Sequence, residues 1–342
     1  MKKILSITVS LFTLLIVYSQ DFHLSQYWAS PLNLNPALSG VMEDNIRMSA
    51  SYRNQWFQYS TYATYTASVD ANLFRKKLKG NFLGLGLGFY QDIEGEGDFQ
   101  NTGVSANLAY NQKFGGRNAT HYIGLGFQSA YVSKQINLQN LVYGSLFEFN
   151  DNSDPIDFAN YNRKSFLDFG AGFNYFVNIQ DKHSIGGGLA VTHIANPNIS
   201  FGSNNEDILY RKYSANASAR LELNNKIISI IPLILYQKQG PHSELNMGSY
   251  VRFLLNDMKN AAIYAGAQYR IASYENGGFG SDAFILGVRG EISSVDIGFS
   301  YDVTTSNLRN TSTFTGGPEL YVIYTIATSK SRYREMINCP KF

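Results

Sequence analysis

The sequence predicts an all-β protein, a transmembrane up-and-down antiparallel β-barrel of about 14 strands with an N-terminal periplasmic or plug segment. Three observations predict this fold. Apolar residues alternate with small or polar ones over stretches of about ten residues, the connections between the stretches alternate in length, and 24 of the 342 residues are tyrosine. Aromatic girdles at the membrane interfaces explain the tyrosines, and a polar lumen explains why the hydrophobic content is only 44%.

Residues 1–19 are expected to be a secretory signal peptide that is cleaved near Ser19/Gln20. Two lysines precede an apolar run that ends at Val17, which is shorter than the roughly 20 residues of a spanning helix. An uncleaved membrane anchor is the alternative. The mature chain would be exported and would begin with residues 20–44, whose prolines and asparagines break any regular period. We expect this stretch to lie in or across the periplasmic mouth as a partial plug; a simple linker to the barrel is the other interpretation.

Alternation with a period of two predicts β-strands, because successive side chains of a strand point to opposite faces. In 61–73, for example, Tyr65, Val69 and Leu73 share one face, while threonine, serine, aspartate and asparagine occupy the other. The predicted strands are 46–56, 61–73, 82–91, 101–112, 121–132, 165–177, 183–193, 211–223, 226–237, 245–255, 261–271, 281–291, 294–303 and 318–328. Only 226–237 is ambiguous, since it has isoleucine on both faces and Pro232 inside, which predicts a bulge or weak pairing.

The length of a connection depends on whether it follows an even-numbered or an odd-numbered strand. Connections after even-numbered strands are short, such as 178–182, whereas most of the others are longer, such as 133–164 and 304–317. Outer-membrane barrels have short periplasmic turns and longer external loops. The barrel is therefore expected to span 45–328, with both termini in the periplasm and a basic periplasmic tail over 329–342.

Composition and spacing argue against several classes of function. The net charge of +2 is too small to suggest nucleic-acid binding, and the single cysteine excludes an intramolecular disulfide framework. The histidines lack metal-ligand spacing, so no metal or cofactor is expected. Glycines 84, 86 and 88 fall inside a strand, where they predict a wall that a plug can approach closely. A lipid hydrolase using His193 near Asn196 is the least favoured alternative.

Charged residues on the predicted lumen faces carry mixed signs. This mixture predicts that they pair with one another across a wet lumen and do not form a selective ring of one sign. The residues are Asp70, Asp168, Arg220, Glu222, Arg252, Arg270, Arg289, Glu291, Asp296 and Asp302.

The stretch SQYWASPLNLNPALSG, residues 25–40, resembles the amino-terminal signature of the PorP/SprF family of type IX secretion membrane proteins. One departure is Ser30, which stands where the family often has asparagine. The ending NCPKF, with Cys339, Pro340 and Phe342, is similar to the family's carboxyl end. The matching signature residues are Ser25, Gln26, Tyr27, Pro31, Leu32, Asn35, Pro36, Ala37 and Gly40.

The resemblance implies a non-catalytic outer-membrane component of type IX secretion in Bacteroidetes, where such barrels support surface adhesin anchoring and gliding motility. The implied partners are a large secreted surface protein, an SprB-like adhesin with a type B carboxy-terminal domain, and periplasmic lipoprotein and ring components, besides outer-membrane lipid. The signature is expected to form the plug or bind a partner, and the tail to contact the machinery. A diffusion or uptake channel for a small solute is the alternative function.

The loop 134–164 is unusually apolar for an external connection. Exposed apolar groups commonly mark interfaces. Together with the resemblance, this composition favours docking of a partner over packing of the loop into the barrel top. The residues expected to make that contact are Leu141, Tyr143, Phe147 and Phe149.

Overall fold

Within the residues that the structure describes, fourteen antiparallel strands form a closed barrel, in which each strand pairs with its sequence neighbours and β1 pairs with β14. The computed structural model describes residues 21–55, 62–95, 98–116, 118–136, 163–180, 182–201, 207–223, 227–257, 260–273, 278–306 and 316–327. The strands are β1 (Ile46–Gln55), β2 (Tyr62–Leu73), β3 (Phe82–Glu94), β4 (Phe99–Gly115), β5 (Ala119–Gln135), β6 (Arg163–Ile179), β7 (His183–Thr192), β8 (Lys212–Leu223), β9 (Ile228–Gln239), β10 (His242–Asn256), β11 (Ala261–Ser273), β12 (Phe279–Ile292), β13 (Val295–Thr304) and β14 (Gly316–Ile326). The predicted fold is confirmed, and all fourteen predicted strands are present.

The strands form because one face meets hydrocarbon and the other meets the lumen. On β3 the outward side chains are Leu85, Leu87 and Phe89, which are exposed, whereas glycines lie between them and face inward. Leu125 and Leu189 are similarly exposed on β5 and β7, at 65% and 60%. Large apolar side chains outside and polar ones inside reverse the pattern of a water-soluble protein and match a membrane barrel. No helix among the described residues is long and apolar enough to cross a membrane.

The two ends of the barrel differ in their connections. We call the end at which no connection is longer than eight residues the turn end; its connections are 74–81, 116–118, 180–182, 224–227, 257–260 and 293–294. We call the other end the loop end; its connections are 56–61, 95–98, 136–162, 193–211, 240–241, 274–278 and 305–315. In an outer-membrane barrel the loop end faces outside.

Residues 21–45, which we call the N-terminal segment, run along the lumen from the loop end to the turn end. The backbone N–H of Asp21 donates to Gln239 Oε1 at 2.9 Å, at the loop end of β9. The N–H of Asn45 donates to the carbonyl of Ile326 at 3.0 Å, where β14 finishes at the turn end. The expectation that both termini lie in the periplasm therefore does not fit Asp21. The even number of strands determines only that β1 begins at the turn end. The chain before β1 runs through the lumen from the loop end.

The surroundings of strand β9 explain why its sequence has apolar residues on both faces. Its inward Ile231, Leu233 and Leu235 are buried against the N-terminal segment, whereas its outward Ile230 and Ile234 are exposed. Apolar side chains are therefore required on both faces.

Pro232 lies inside β9. Its pairing with β10 is continuous, but the ladder to β8 is interrupted between Leu233 and Ile230 while the register stays the same on either side. The prediction of weak pairing is confirmed, and that of a bulge is wrong. The missing N–H of proline weakens one ladder without shifting it.

Replacing Leu108 with arginine should destabilise the inserted barrel by about 2–4 kcal/mol, because Leu108 is exposed near the middle of β4 and a charge there would face hydrocarbon. Urea unfolding in lipid vesicles measures the change in the free energy of unfolding. Asn118→Arg, at the exposed turn end, is the control and should cost less than about 1 kcal/mol. Equal losses in the two variants would contradict a lipid-facing position for Leu108.

Candidate functional site

The N-terminal segment folds as a series of short turns, and prolines begin the last two of them. Pro31 starts the one-turn helix α1 (Pro31–Leu34), and Pro36 starts a 3-10 turn (Pro36–Leu38). Asn35 caps this second turn, since its Oδ1 accepts the N–H of Ala37 at 2.9 Å. Its Nδ2 donates to the carbonyl oxygen of Phe173 at 2.9 Å, which ties the turn to β6. The Asn-Pro-Ala signature is therefore both a local turn and a wall contact.

Glycines in β3, β5, β6 and β7 let the segment lie directly on the barrel wall. A methyl group at Gly86 would lie 2.8 Å from Leu32 Cδ1, and one at Gly188 would lie 2.6 Å from Asn35 Nδ2. At Gly84, Gly126 and Gly172 the added group would overlap Ser39, the Pro36–Ala37 backbone and Asn35, respectively. The low-bulk wall predicted from the glycine rows is present.

The opposite side of the segment is apolar and packs against the far wall. Trp28 is 5% exposed and meets the ring of Tyr250 edge-on, with centroids 5.3 Å apart. A tryptophan buries roughly 150–250 Å², so its burial stabilises the seated segment by roughly 4–6 kcal/mol. The cluster comprises Tyr27, Trp28, Ala29, Leu34 and Leu38 of the segment with Ile231, Leu233, Leu235, Tyr250, Ala262, Tyr264 and Tyr321 of the wall.

A buried ionic network holds Ser25 and Gln26 near the loop end. Their backbone N–H groups both donate to the carboxylate of Glu319 at 2.8 Å, and Ser25 Oγ donates to Asp302 Oδ2 at 2.7 Å. Arg53 donates to the same Asp302 oxygen at 2.8 Å and to Glu319 at 3.3 Å. Arg270 donates to Ser25 Oγ at 3.0 Å. Buried charges are tolerated only when they are paired and hydrogen-bonded, and Ser25 and Gln26 add to the hydrogen bonding of this network.

His193 clamps the start of the segment between two carboxylates. Its Nδ1 lies 2.8 Å from Asp168 Oδ2, and its Nε2 lies 2.8 Å from Asp21 Oδ2. Burial alone would lower the pKa of His193, but the carboxylates of Asp21 and Asp168 outweigh burial and raise it to about 9. The imidazolium can donate from both nitrogens at once, so the two bonds coexist at neutral pH.

At the turn end, Arg47 and Asp70 hold the other end of the segment. Their side chains pair at 2.8 Å, and Asp70 also accepts the N–H of Gly40 at 2.8 Å. Arg47 donates to the carbonyl oxygens of Leu38 and Val41 at 3.2 and 3.3 Å. Gly40 has a φ of 73° and its α-carbon faces the wall, so a side chain there would be strained. Polar contacts therefore fix the segment at both ends of the lumen.

The lumen charges are paired, as their mixed signs predict, but most pairs join neighbours on the barrel wall and do not reach across a wet lumen. Asp70 and Asp168 pair with Arg47 and His193, which are outside the predicted set. Each of the ten predicted lumen charges has a partner among the described residues. The pairs are Arg47–Asp70, His193–Asp168, Arg220–Glu222, Arg270–Asp302, Arg289–Asp296, and Arg252 with Glu291 through the hydroxyl of Tyr264.

The geometry of the site supports binding and positioning. A lipid hydrolase would need His193 on the barrel exterior, but this side chain is buried in the lumen between Asp21 and Asp168. That alternative is wrong. Within the described parts of the chain, no three His, Cys, Asp or Glu side chains are arranged to hold a metal ion.

All nine signature residues lie inside the barrel, where they are buried or nearly so. Sequence reasoning missed Arg53 and Glu319, although the signal was available: Arg53 has the same parity in β1 as the inward Ser49 and Ser51. The contact between Asp21 and His193 had no local signal. The expected signal peptide 1–19, the loop residues Leu141, Tyr143, Phe147 and Phe149, and the tail residues Cys339, Pro340 and Phe342 lie outside the described residues.

The profile of a family described as type IX secretion system membrane protein PorP/SprF matches residues 16–324. No curated protein matches the chain.

Several solved structures are similar to this chain. A deltaS2 mutant of the TodX monoaromatic hydrocarbon channel has a TM-score of 0.50 and 10% identity, over 86% of this chain and 93% of that one. The Pseudomonas putida toluene transporter TodX has a TM-score of 0.49 and 9% identity, over 90% and 98%. CdiB from Acinetobacter baumannii has a TM-score of 0.44 and 10% identity, over 83% and 60%. At these identities the likeness to the TodX mutant concerns the fold alone.

Gly126→Val should displace the N-terminal segment without preventing barrel insertion, because the added side chain would occupy the space of the Pro36–Ala37 backbone. Limited proteolysis with mass spectrometry should then detect cleavage within 21–45. Gly290→Val is the matched control, because a methyl group at this strand glycine meets nothing within 4 Å. Equal protection of the segment in both variants would contradict its seating on the glycine wall.

Raising the pH through about 9 should loosen the start of the segment. The pKa of His193 is raised from 6.5 to about 9, so the stabilisation is complete below about pH 6.5 and is lost as the pH rises through about 9. A spin label at Phe22→Cys, in a Cys339→Ser background, reports this as increased mobility. His193→Gln is the control, and a mobility step of the same size in that variant would show that another group titrates.

Proposed function

This chain belongs to the PorP/SprF family of type IX secretion system membrane proteins, and on that premise we propose that it binds an exported surface protein and links it to the periplasmic machinery. The protein is an outer-membrane β-barrel of this secretion system. In our proposal its partner is a large surface protein, such as an SprB-like adhesin with a type B carboxy-terminal domain, which it helps to export or to anchor at the surface.

One observation carries this proposal: the N-terminal segment lies along the lumen and is fixed at both ends. Ser25 is held by Asp302 and Glu319 towards the loop end, and Gly40 is held by Asp70 at the turn end. A lumen occupied in this way favours a protein that works through its two ends over one that passes a solute. The loop end then meets the surface protein, and the turn end meets the machinery.

Each end has a candidate contact region. At the loop end we propose the apolar stretch with Leu141, Tyr143, Phe147 and Phe149 as the docking region for the surface protein. At the turn end we propose the basic tail 329–342, including Cys339, Pro340 and Phe342, as the contact with lipoprotein or ring components. The signature residues, from Ser25 to Gly40, would keep the lumen closed while both contacts are made.

A diffusion or uptake channel is the second candidate function. Two cavities at the loop end, of about 70 and 230 Å³, favour it, because a small solute could enter them. Below them the segment crosses the lumen, so a channel would require the segment to move.

Affinity purification from native outer membranes, without cross-linking, should return a large surface protein together with secretion components. The double variant Phe147→Asp/Phe149→Asp should lose the surface protein and keep the periplasmic components, because it alters only the proposed loop-end contact. Purification of the wild type without either class of partner would contradict the proposal. Large, steady conductance of the wild type in a planar bilayer would favour the channel instead.

A further inference from the structure

The larger loop-end cavity, which we call the head cavity, lies between the start of the N-terminal segment and strands β8 to β12. Its volume is about 230 Å³. Typical sites for drug-sized ligands measure about 300–1,000 Å³, so the head cavity suits a single extended side chain better than a larger molecule. The lining residues that matter here are Asp21, His23, Lys212, Lys238, Glu244 and Asp282.

Two of the three carboxylates in this cavity are already paired. Asp21 contacts His193 at 2.8 Å and Lys212 at 3.5 Å. Asp282 contacts Arg270 at 2.5 Å. Their charges are therefore compensated within the protein.

Glu244 is bonded less completely: the guanidinium groups of Arg270 and Arg53 act on its charge from a distance, but neither pairs with it directly among the described residues. Its side chain is only 17% exposed, and within the described part of the chain its buried Oε1 has no hydrogen-bond partner. Its Oε2 lies 3.9 Å from His23 Nδ1, which is too long for a hydrogen bond. A buried carboxylate oxygen without a hydrogen-bond partner is costly, and a cationic donor removes that cost.

His23 does not supply a cationic donor to Oε1. Burial, followed by the guanidinium groups of Arg53 and Arg270, lowers its pKa well below the ordinary value of 6.5. The imidazole is therefore neutral at pH 7.

The two lysines of the cavity leave Glu244 available. Lys212 is engaged with Asp21. Lys238 is exposed, so water screens its charge. Neither lysine forms an ion pair with Glu244 among the described residues.

We propose that the head cavity receives a lysine or arginine side chain of a bound protein, whose cationic group pairs with Glu244. The cavity opens at the loop end, where an exported partner would arrive, so this inference rests on the proposed function. A flexible aliphatic stem fits within the 230 Å³, and the ammonium or guanidinium completes the hydrogen bonding of Oε1. The head cavity would therefore add a charged specificity contact to the apolar docking stretch.

The direct test uses n-butylammonium as the probe with the purified full-length protein in detergent. A ligand of this size should bind saturably with a Kd of about the millimolar range, measured by NMR titration. Glu244→Gln should weaken binding by about tenfold or more, since the amide keeps the shape and loses the charge. Ala272→Leu, which fills the cavity and keeps Glu244, should weaken it as well. Asp257→Asn is the control, because this exposed carboxylate lies at the turn end, and its affinity should be unchanged.

Three results would overturn the inference. They are the absence of saturable binding, equal affinity in wild type and Glu244→Gln, and preferential binding of pentanoate, which has a similar stem and the opposite charge. The probe needs no protein partner, so a failure here with intact co-purification of the surface protein would leave the proposed function standing. Loss of that surface protein from Glu244→Gln membranes, with the barrel still inserted, would support the inference.

Discussion

The constraint on which the structure depends is the width of its lumen. About eight strands enclose a space that side chains alone can fill, and fourteen enclose more. Here the N-terminal segment occupies the part of the lumen that the side chains of the strands leave empty. Backbone can lie against a strand only where side chains are absent, which is why the inward glycines of β3, β5, β6 and β7 face Leu32, Asn35, Ala37 and Ser39. The inward glycines of the strands and the N-terminal segment that they face therefore depend on each other.

The two walls of the lumen hold the segment by different forces. The glycine wall offers close contact and backbone acceptors such as the carbonyl of Phe173, whereas the opposite wall offers an apolar surface centred on Tyr250. Apolar packing supplies most of the stabilisation but little direction. The charged contacts of Asp302, Glu319 and His193 are geometrically demanding, so they determine the position of the segment along the axis.

The fold could be predicted because lipid on one side and water on the other impose a period of two on every strand. The same parity placed the lumen charges, and in the predicted strand 46–56 it also puts Arg53 on the inward face with Ser49 and Ser51. The path of the N-terminal segment could not be predicted, because a stretch without a helical or strand period does not indicate which residues face the wall or in which direction the chain runs. Likewise Asp21 and His193 are 172 residues apart in sequence, and only the closed barrel brings them together.

The direction of the N-terminal segment has a consequence for biogenesis. The chain enters at the turn end, yet Asp21 lies near the far rim, and the ladder between β1 and β14 closes the cylinder. Once that ladder has formed, some twenty-five residues with buried ions would have to be pulled past a wall with no clearance. A sheet that wraps around the segment before its first and last strands pair would avoid this passage, so the folded arrangement favours seating of the segment before closure.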